Sequence, residues 1–253
     1  MNGENKPYLD FQHVCKAFGE KVVLDNVSFD VMPGETVCIL GRSGVGKSVA
    51  LHHIMGFLRP DSGRVWVAYE DTTNYSEEQM ERIRKKVTMV FQNGALFDSL
   101  TVGENVAFPL RERGDLTEDQ IYQIVDGLLE MVGVSHHRDQ LPSELSTGLK
   151  RSVAIARALA AQPEAILYDE PTTMVDPLMA HLLGDLIQKL KSQLKLTSVV
   201  VTHDMALAKK LADRLVFPVD GMEHSNEKIV QEFLALDSVN LHDLGGEPPG
   251  VRA

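Results

Sequence analysis

Short apolar runs, several of them alternating with polar residues, open the chain and predict β-strands. They are YLDFQHV, VSFDV and TVCIL, and GRVWV and VTMVF follow after a helical segment. A period of two is typical of strands, and the Pro33-Gly34 pair predicts a turn between VSFDV and TVCIL. We therefore expect roughly the first ninety residues to combine strands with one helix.

The middle of the chain has the periodicity of helices instead. Residues 76–79, SEEQ, and 117–120, TEDQ, both fit the capping box with which many helices begin. After the second box, apolar residues recur at helical spacing across 121–132, and Gly133 ends the run. We interpret this middle region as an all-helical insertion.

Strands return towards the C-terminus. The runs AILYDE and SVVVTHD are apolar until their last polar residues, and between them Asp176-Pro177 supplies an N-cap and a first-turn proline for a helix. Leucines four residues apart, from Leu178 to Leu190, extend through that helix. Because strands alternate with helices here, the pattern predicts a parallel sheet.

Composition limits the classes of function. The 25 basic and 36 acidic residues give a net charge of −11 without a basic block, which disfavours a protein that binds nucleic acid by electrostatics. Cys15 and Cys38 are far apart and lack CxxC spacing, so we expect reduced thiols rather than a disulfide or a metal site. No signal-peptide pattern opens the chain, and no apolar run approaches the ~20 residues that cross a bilayer, so we expect a soluble, cytosolic protein.

The segment GRSGVGKS fits the phosphate-binding pattern GxxxxGK[ST] at every position. It has the required context, because an apolar strand precedes it and the helical run VALHHIMGF follows it. In that geometry the backbone amides of the loop surround the phosphates, Lys47 neutralises the β- and γ-phosphate oxygens, and the Ser48 hydroxyl binds Mg²⁺. The predicted nucleotide-binding residues of this loop are Gly41, Arg42, Ser43, Gly44, Val45, Gly46, Lys47 and Ser48.

A pair of carboxylates, Asp169 and Glu170, ends the apolar run AILYDE. Ligands of open parallel sheets bind at the carboxyl ends of the strands, where this pair is expected to lie. Asp169 suits the coordination shell of Mg²⁺, and Glu170 has the chemistry to polarise an attacking water molecule. The pair alone is also compatible with capping the next helix, but with a phosphate loop in the same chain it predicts the second half of a nucleotide site.

The segment ELSTGLKR, residues 144–151, has the pattern of a helix start that holds an anion, with Ser146 and Gly148 ahead of two basic residues. Together with the phosphate loop, the carboxylate pair and His203 in VVVTHD, it makes the chain resemble the ATP-binding subunits of ABC transporters. The resemblance implies an α/β P-loop NTPase fold with a mostly parallel core sheet, an antiparallel N-terminal β subdomain and a helical subdomain. It also implies ATP and Mg²⁺ as ligands.

The resemblance implies roles for residues outside the phosphate loop. Phe18 in CKAFG resembles the aromatic residue that stacks on adenine, although it is also compatible with packing in the core. Gln92 in VFQNGALF resembles the glutamine that contacts Mg²⁺ and water and that moves with the membrane partner. Asp176 resembles the D-loop aspartate and is at the same time a candidate helix N-cap. His203 resembles the histidine that hydrogen-bonds the γ-phosphate, so Glu170, His203 and Gln92 form the predicted catalytic set.

In this family the signature helix of one subunit faces the phosphate loop of the other. The resemblance therefore implies that Ser146, Thr147 and Gly148 contact the γ-phosphate of ATP bound to a second copy, and that two copies pack head to tail around two MgATP. The chain departs from the usual LSGGQ signature, since Thr147 replaces its first glycine and Leu149 its glutamine, and Met174-Val175 makes an atypical D-loop. We expect the Thr147 side chain to turn away from the phosphate and its hydroxyl to cap the helix, the alternative being crowding that slows closure.

A narrower resemblance concerns the ATPases of MCE-domain, Mla-type phospholipid transport systems. It lies in the segments GRSGVGKSV, IMGFLRPDSG, FQNGALFDSLTVGENVAFPLRE and ILYDEPTT. It implies an ATPase that powers phospholipid transport between membranes through a separate multi-span permease and an MCE-domain subunit, bound through the permease to the cytoplasmic face of the inner membrane. In the loop from 92 to 101 we expect Leu96 and Phe97 to line a groove for a permease helix, with local packing as the alternative.

The resemblance implies one ATPase domain over residues 8–219, with the helical subdomain inserted at about 93–162 and a C-terminal extension at 220–253. In the extension, apolar residues from Ile229 to Leu236 have the spacing of a short amphipathic helix. We expect the Gly/Pro-rich tail LGGEPPGVRA to be frayed.

Two other functions are alternatives to transport. The first is an ABC ATPase without transport activity: one phosphate loop, no heptad run and no cysteine cluster argue against the translation-factor and DNA-repair kinds, but a cluster-assembly ATPase is harder to exclude. The second is a P-loop kinase of small molecules. A kinase leaves ELSTGLKR, Gln92 and His203 unexplained.

Overall fold

The computed structural model describes residues 6–41 and 46–216. Its strands are β1 (Leu9–Phe18), β2 (Lys21–Val31), β3 (Thr36–Leu40), β4 (Ser62–Val67), β5 (Glu70–Asp71), β6 (Val87–Val90), β7 (Ala165–Asp169), β8 (Thr197–Thr202) and β9 (Arg214–Val216). Its helices are α1 (Lys47–Ile54), α2 (Glu77–Arg84), α3 (Val102–Arg113), α4 (Glu118–Met131), α5 (Thr147–Ala160), α6 (Pro177–Leu194) and α7 (Met205–Leu211). The predicted C-terminal extension, 220–253, lies outside the described residues.

The described strands form two sheets. In one, four strands pair antiparallel in the order β2-β1-β4-β5, and in the other, five strands pair in parallel in the order β6-β7-β8-β3-β9. The register of β3 with β8 brings Thr36 opposite Ser198 and Leu40 opposite Thr202, so these strands end at the same edge. The predicted fold class, with a parallel core sheet, an antiparallel N-terminal sheet and a group of helices, is confirmed.

The parallel sheet separates two apolar cores. Every residue of β3 is buried, and successive side chains of a strand point to opposite faces. Val37 and Ile39 therefore join the core that includes the antiparallel sheet, whereas Cys38 and Leu40 join the core built on α3 to α6. Burial raises the pKa of the Cys38 thiol to about 12, and both Cys38 and Cys15 are free thiols, as predicted.

The regular elements described between β6 and β7 are all helical. They are α3, α4, two 3₁₀ turns (Ser135–His137 and Pro142–Glu144) and α5. The capping boxes predicted at Ser76 and Thr117 are present, and a further box that was not predicted starts α3 at Thr101. Within residues 6–41 and 46–216, no helix has both the length and the apolar character that crossing a membrane requires.

The leucines spaced four residues apart along α6 do not all lie on its buried face. Leu178 and Leu182 are 69% and 48% exposed, whereas Leu183, Ile187 and Leu190 are buried. Positions four residues apart advance by about 40° around a helix of 3.6 residues per turn, so a row at this spacing winds off the face on which it begins.

Candidate active site

The parallel sheet brings the predicted chemical groups to one edge. Gly41 follows β3, Gln92 follows β6, Glu170 follows β7 and His203 follows β8, while Asp169 is the last residue of β7. Parallel strands place their carboxyl ends together, and this edge is where open α/β sheets bind ligands.

A cavity of about 370 Å³ opens at this edge. Its lining residues are Phe18, Lys21, Val23, Gly46, Lys47, Ser48, Val49, Gln92, Glu170, Thr173 and His203. The sequence prediction included seven of these residues: Phe18, Gly46, Lys47, Ser48, Gln92, Glu170 and His203. It missed four. Lys21 and Val23 lie on strand β2, which pairs with the strand that carries Phe18, and the other two are Val49 of α1 and Thr173.

The phosphate end of the cavity is built around the start of α1. Gly46 has a φ of 93°, and a Cβ at this position would lie 2.8 Å from the Val23 carbonyl oxygen, so only glycine fits. Lys47, the first residue of α1, is 5% exposed and its Nζ donates to the Gly41 carbonyl. The four loop residues between Gly41 and Gly46, which are Arg42, Ser43, Gly44 and Val45, lie outside the described residues.

The proposed magnesium ligands Ser48 and Asp169 are already in contact. The Ser48 hydroxyl donates to Asp169 Oδ1 at 2.7 Å. Burial raises the pKa of the Asp169 carboxyl, and the Ser48 hydrogen bond acts against that rise. A hydroxyl and a buried carboxylate side by side are the hard oxygen donors that Mg²⁺ prefers, so this pair fits the ion. Gln92, the third predicted ligand, is exposed and lines the cavity.

Both oxygens of the Glu170 carboxylate are occupied. Oε1 lies 3.1 Å from Lys47 Nζ, and the two side chains are only 10% and 4% exposed. Oε2 lies 2.7 Å from His203 Nδ1 and accepts a hydrogen bond from the Thr173 hydroxyl at 3.1 Å. The residue has a left-handed backbone, φ 46°, while its N–H is held by the Val201 carbonyl at 2.9 Å. The carboxylate is thus held between the phosphate-loop lysine on one side and His203 with Thr173 on the other.

Phe18 lines the cavity and lies outside the apolar cores. It is the last residue of β1, it is 46% exposed, and Lys16 Nζ lies 5.7 Å from its ring centroid. The alternative that it packs inward is therefore wrong. An exposed aromatic ring that lines a cavity is suited to stacking on a flat heterocycle.

The predicted signature residues lie away from this cavity, at the start of α5. Ser146 is the N-cap, and its Oγ accepts a hydrogen bond from the Leu149 N–H at 3.3 Å. The expectation that the Thr147 hydroxyl caps the helix is wrong, because Thr147 is the exposed first residue of the helix and Ser146 already caps it. A hydroxyl that accepts from Leu149 keeps its own proton, so Ser146 can still donate to an anion.

Gly148 and Asp176 have structural roles that are independent of any ligand. A Cβ on Gly148 would lie 2.8 Å from the terminal carbon of Met179, so glycine at this position permits α5 to approach α6. Asp176 is the N-cap of α6 and accepts from the Met179 N–H at 3.0 Å, as the sequence predicted. Neither residue lines the cavity of its own chain. Gly148→Asp is therefore a poor probe of phosphate contact, because it also disturbs helix packing.

Thr147→Gly is expected to change the ATPase rate by less than about tenfold, equivalent to ~1.4 kcal/mol in the barrier. The Thr147 side chain is exposed and makes no cap, so removing it leaves the N-cap of α5 intact. Steady-state ATPase at saturating MgATP measures the effect. Ser146→Ala is the comparator and should impair turnover strongly; its thermal midpoint is recorded because loss of an N-cap costs about 1 kcal/mol. A much larger gain from Thr147→Gly would mean that this residue slows the native enzyme.

Comparisons with known proteins agree with this geometry. The family model described as "ABC transporter" matches residues 24–173. The intermembrane phospholipid transport system ATP-binding protein MlaF of Haemophilus influenzae is 36% identical over 230 residues, which are 90% of this chain and 87% of that protein. The methionine import ATP-binding protein MetN of Carboxydothermus hydrogenoformans is 39% identical over 214 residues, 85% of this chain and 61% of that protein. A dimeric, post-hydrolysis structure of an ATP-binding cassette bound to ADP and Pi superposes with a TM-score of 0.77 at 33% identity, covering 84% of this chain and 95% of that one.

Proposed function

Because this chain belongs to the ABC transporter family, whose ATP-binding cassettes bind ATP with Mg²⁺ and hydrolyse it, we propose that it powers phospholipid transport through separate membrane subunits. The convergence of Lys47, Ser48, Glu170 and His203 on one cavity supports the site of hydrolysis. The phospholipid assignment rests on the likeness to MlaF over nine-tenths of the chain. A kinase does not fit the family to which the chain belongs.

The proposed chemistry uses the geometry of the cavity. Lys47 binds the β- and γ-phosphates. Ser48 and Asp169 would hold Mg²⁺, which would supply further charge stabilisation for the phosphoryl group. Glu170 accepts a proton from the attacking water, and His203 orients the γ-phosphate. For this to occur Lys47 must exchange its contact with Glu170 Oε1 for the phosphates, which frees that oxygen at the cavity.

Gln92 and Phe18 complete the proposed nucleotide contacts. Gln92 lines the cavity from the end of β6, where it is suited to contact Mg²⁺ and water. Phe18 presents its exposed ring for stacking on adenine.

A second copy of the chain is proposed to complete each site. Ser146, Gly148 and Asp176 do not line the cavity of their own chain, although they carry the features expected at an ATP site. The helix start at Ser146, with its N–H groups and hydroxyl, is suited to the γ-phosphate of ATP held by the partner. The similar cassette with bound ADP and Pi is dimeric. We propose that Thr147 lies at the edge of the contact between the start of α5 and the partner's ATP.

The loop after Gln92 is proposed to contact the permease. Phe97 is 43% exposed, and its ring centroid lies 4.7 Å from that of Phe108, which is also exposed. Leu96 instead packs partly against the core of helices, so the alternative of local packing holds for that residue. Paired exposed aromatic rings are suited to a helix-binding surface. We propose that the permease and an MCE-domain subunit position the chain at the cytoplasmic face of the inner membrane.

Phe97→Asp is expected to abolish assembly with the permease while leaving the fold and ATP binding unchanged, because the ring is exposed and distant from the phosphate contacts in sequence. Co-purification with a tagged permease measures assembly, and calorimetry measures ATP affinity. The matched control is Tyr69→Asp, which places the same charge on an aromatic position that is 51% exposed in the turn after β4. Normal assembly of the Phe97 variant would remove this loop from the interface.

The transported substrate is tested on the assembled complex. Mass spectrometry of lipids that co-purify with the tagged permease is expected to find bound phospholipid, and phospholipid vesicles are expected to stimulate the ATPase. The likeness to MetN makes methionine the second candidate. Stimulation by methionine with no bound phospholipid would overturn the lipid assignment and leave the ATPase assignment intact.

A further inference from the structure

Arg151 is a buried cation in the second turn of α5. It is 3% exposed, its Nη1 donates to the Phe91 carbonyl at 3.1 Å, and its Nη2 donates to the Thr173 carbonyl at 3.4 Å. Its Nε has no hydrogen-bond partner among the described residues. A guanidinium held mainly by two carbonyls is costly to bury, so its presence here points to a positioning role rather than to stability.

The two carbonyls belong to the segments that carry the proposed reaction. Phe91 immediately precedes Gln92, and Thr173 lies in the short turn between Glu170 and the N-cap of α6. One planar side chain on the signature helix therefore ties together the ends of β6 and β7, and the rigid fork of arginine is suited to spanning two acceptors.

Thr173 extends this connection to the carboxylate itself. Its N–H donates to the Glu170 carbonyl at 3.2 Å, and its hydroxyl donates to Glu170 Oε2 at 3.1 Å. When Lys47 leaves Oε1 for the phosphates, Thr173 and His203 remain on Oε2. The free oxygen is then the one that faced Lys47, beside the phosphates.

We propose that Arg151 and Thr173 are positioning residues for hydrolysis: Arg151 fixes the backbone beside Gln92 and at Thr173, and the Thr173 hydroxyl fixes the carboxylate of Glu170. The inference rests on the proposed roles of Gln92 and Glu170. Arg151 thereby links two parts of the proposed mechanism. One is α5, whose start contacts the ATP bound by the partner copy, and the other is Glu170, the base that acts on the ATP bound by its own chain.

Thr173→Val, which removes the hydroxyl and keeps the shape, is expected to lower kcat by about tenfold or more, because a hydrogen bond to a charged group is lost, with KM for ATP within about twofold. Thr173→Ser should restore kcat. The matched control is Thr172→Val: the neighbouring hydroxyl donates to Asp204 Oδ2 at 3.3 Å, and Thr172 has no hydrogen bond to Glu170 in the part of the chain that the structure describes. Its kcat is expected to stay within about twofold of the native value. Native kcat in Thr173→Val, or loss of kcat in both valine variants alike, would overturn the role of Thr173.

Arg151→Lys keeps the charge but replaces the fork by a point donor that cannot span both carbonyls, so kcat is expected to fall by about fivefold or more. If both residues act through one route, Arg151→Lys should lower kcat less in the Thr173→Val background than in the native chain. Multiplicative losses would overturn the connection between them. Thermal midpoints and ATP affinities of all variants are measured. If Arg151→Lys unfolds, the kcat of Thr173→Val decides the proposal.

Glu170→Gln separates this inference from the proposed function. If Glu170→Gln turns over normally, the proposed base is wrong and the positioning role fails with it. If Glu170→Gln is inactive while Thr173→Val is native-like, only the positioning role fails.

Discussion

Glu170→Gln is expected to lower the steady-state ATPase rate by about 100-fold or more while MgATP binding is retained. The amide cannot accept the proton of the attacking water, but the phosphate contacts of Lys47 and the Ser48–Asp169 pair are unchanged. The neutral side chain also no longer competes for Lys47, which pairs with Glu170 Oε1 at 3.1 Å, so ATP affinity is expected to be equal or higher. Calorimetry measures the affinity, and a coupled assay measures the rate.

The same variant tests the proposed two-copy site. ATP that binds without being hydrolysed should hold two copies together, so size-exclusion chromatography in MgATP is expected to show a dimer. Glu112→Gln is the control, since it makes the same change of charge at an exposed position of α3. If Glu170→Gln shows no dimer enrichment in MgATP, even with the permease present, the head-to-tail arrangement fails for this chain.

The sequence predicts the positions of those candidate site residues that lie beside a strand or helix recognisable from the local pattern. A strand, a glycine-rich loop and a helix are adjacent in the chain, so the position of Lys47 and Ser48 follows from local sequence. Glu170 and His203 each follow a buried strand, and parallel pairing then brings them to one edge without any further information. Gly46 is fixed by its left-handed backbone as well as by the phosphate pattern.

The sequence does not predict contacts that depend on packing between distant segments. Nothing local to Arg151 signals that it approaches Phe91 and Thr173, because these two contacts form only when α5 lies against the ends of β6 and β7. The exposed faces of α6 are a second case, since a row of leucines does not say which side meets the core. The cap of α5 is a third, because Ser146 and Thr147 are both cap-forming residues by type and the pattern alone does not show where the helix begins.

Lys47→Ala is expected to lower ATP affinity by about 10- to 100-fold, because a charge-assisted contact of the ammonium with the phosphates is lost in the ground state as well as in the transition state. Titration calorimetry with MgATP measures this. An unchanged affinity would contradict the role of Lys47 in phosphate binding.

The same substitution is expected to destabilise the nucleotide-free protein, for a separate reason. Lys47 and Glu170 form a buried ion pair, and removing one partner leaves a carboxylate that is 10% exposed without its opposite charge. Breaking such a pair typically costs about 3–5 kcal/mol, so the thermal midpoint should fall. Lys47→Ala combined with Glu170→Gln removes both charges, and it should recover most of the midpoint but none of the ATP affinity. If the double variant stays as unstable as Lys47→Ala, the ion pair contributes nothing in solution, and the exchange of Lys47 from Glu170 to the phosphates is not the step that frees the base.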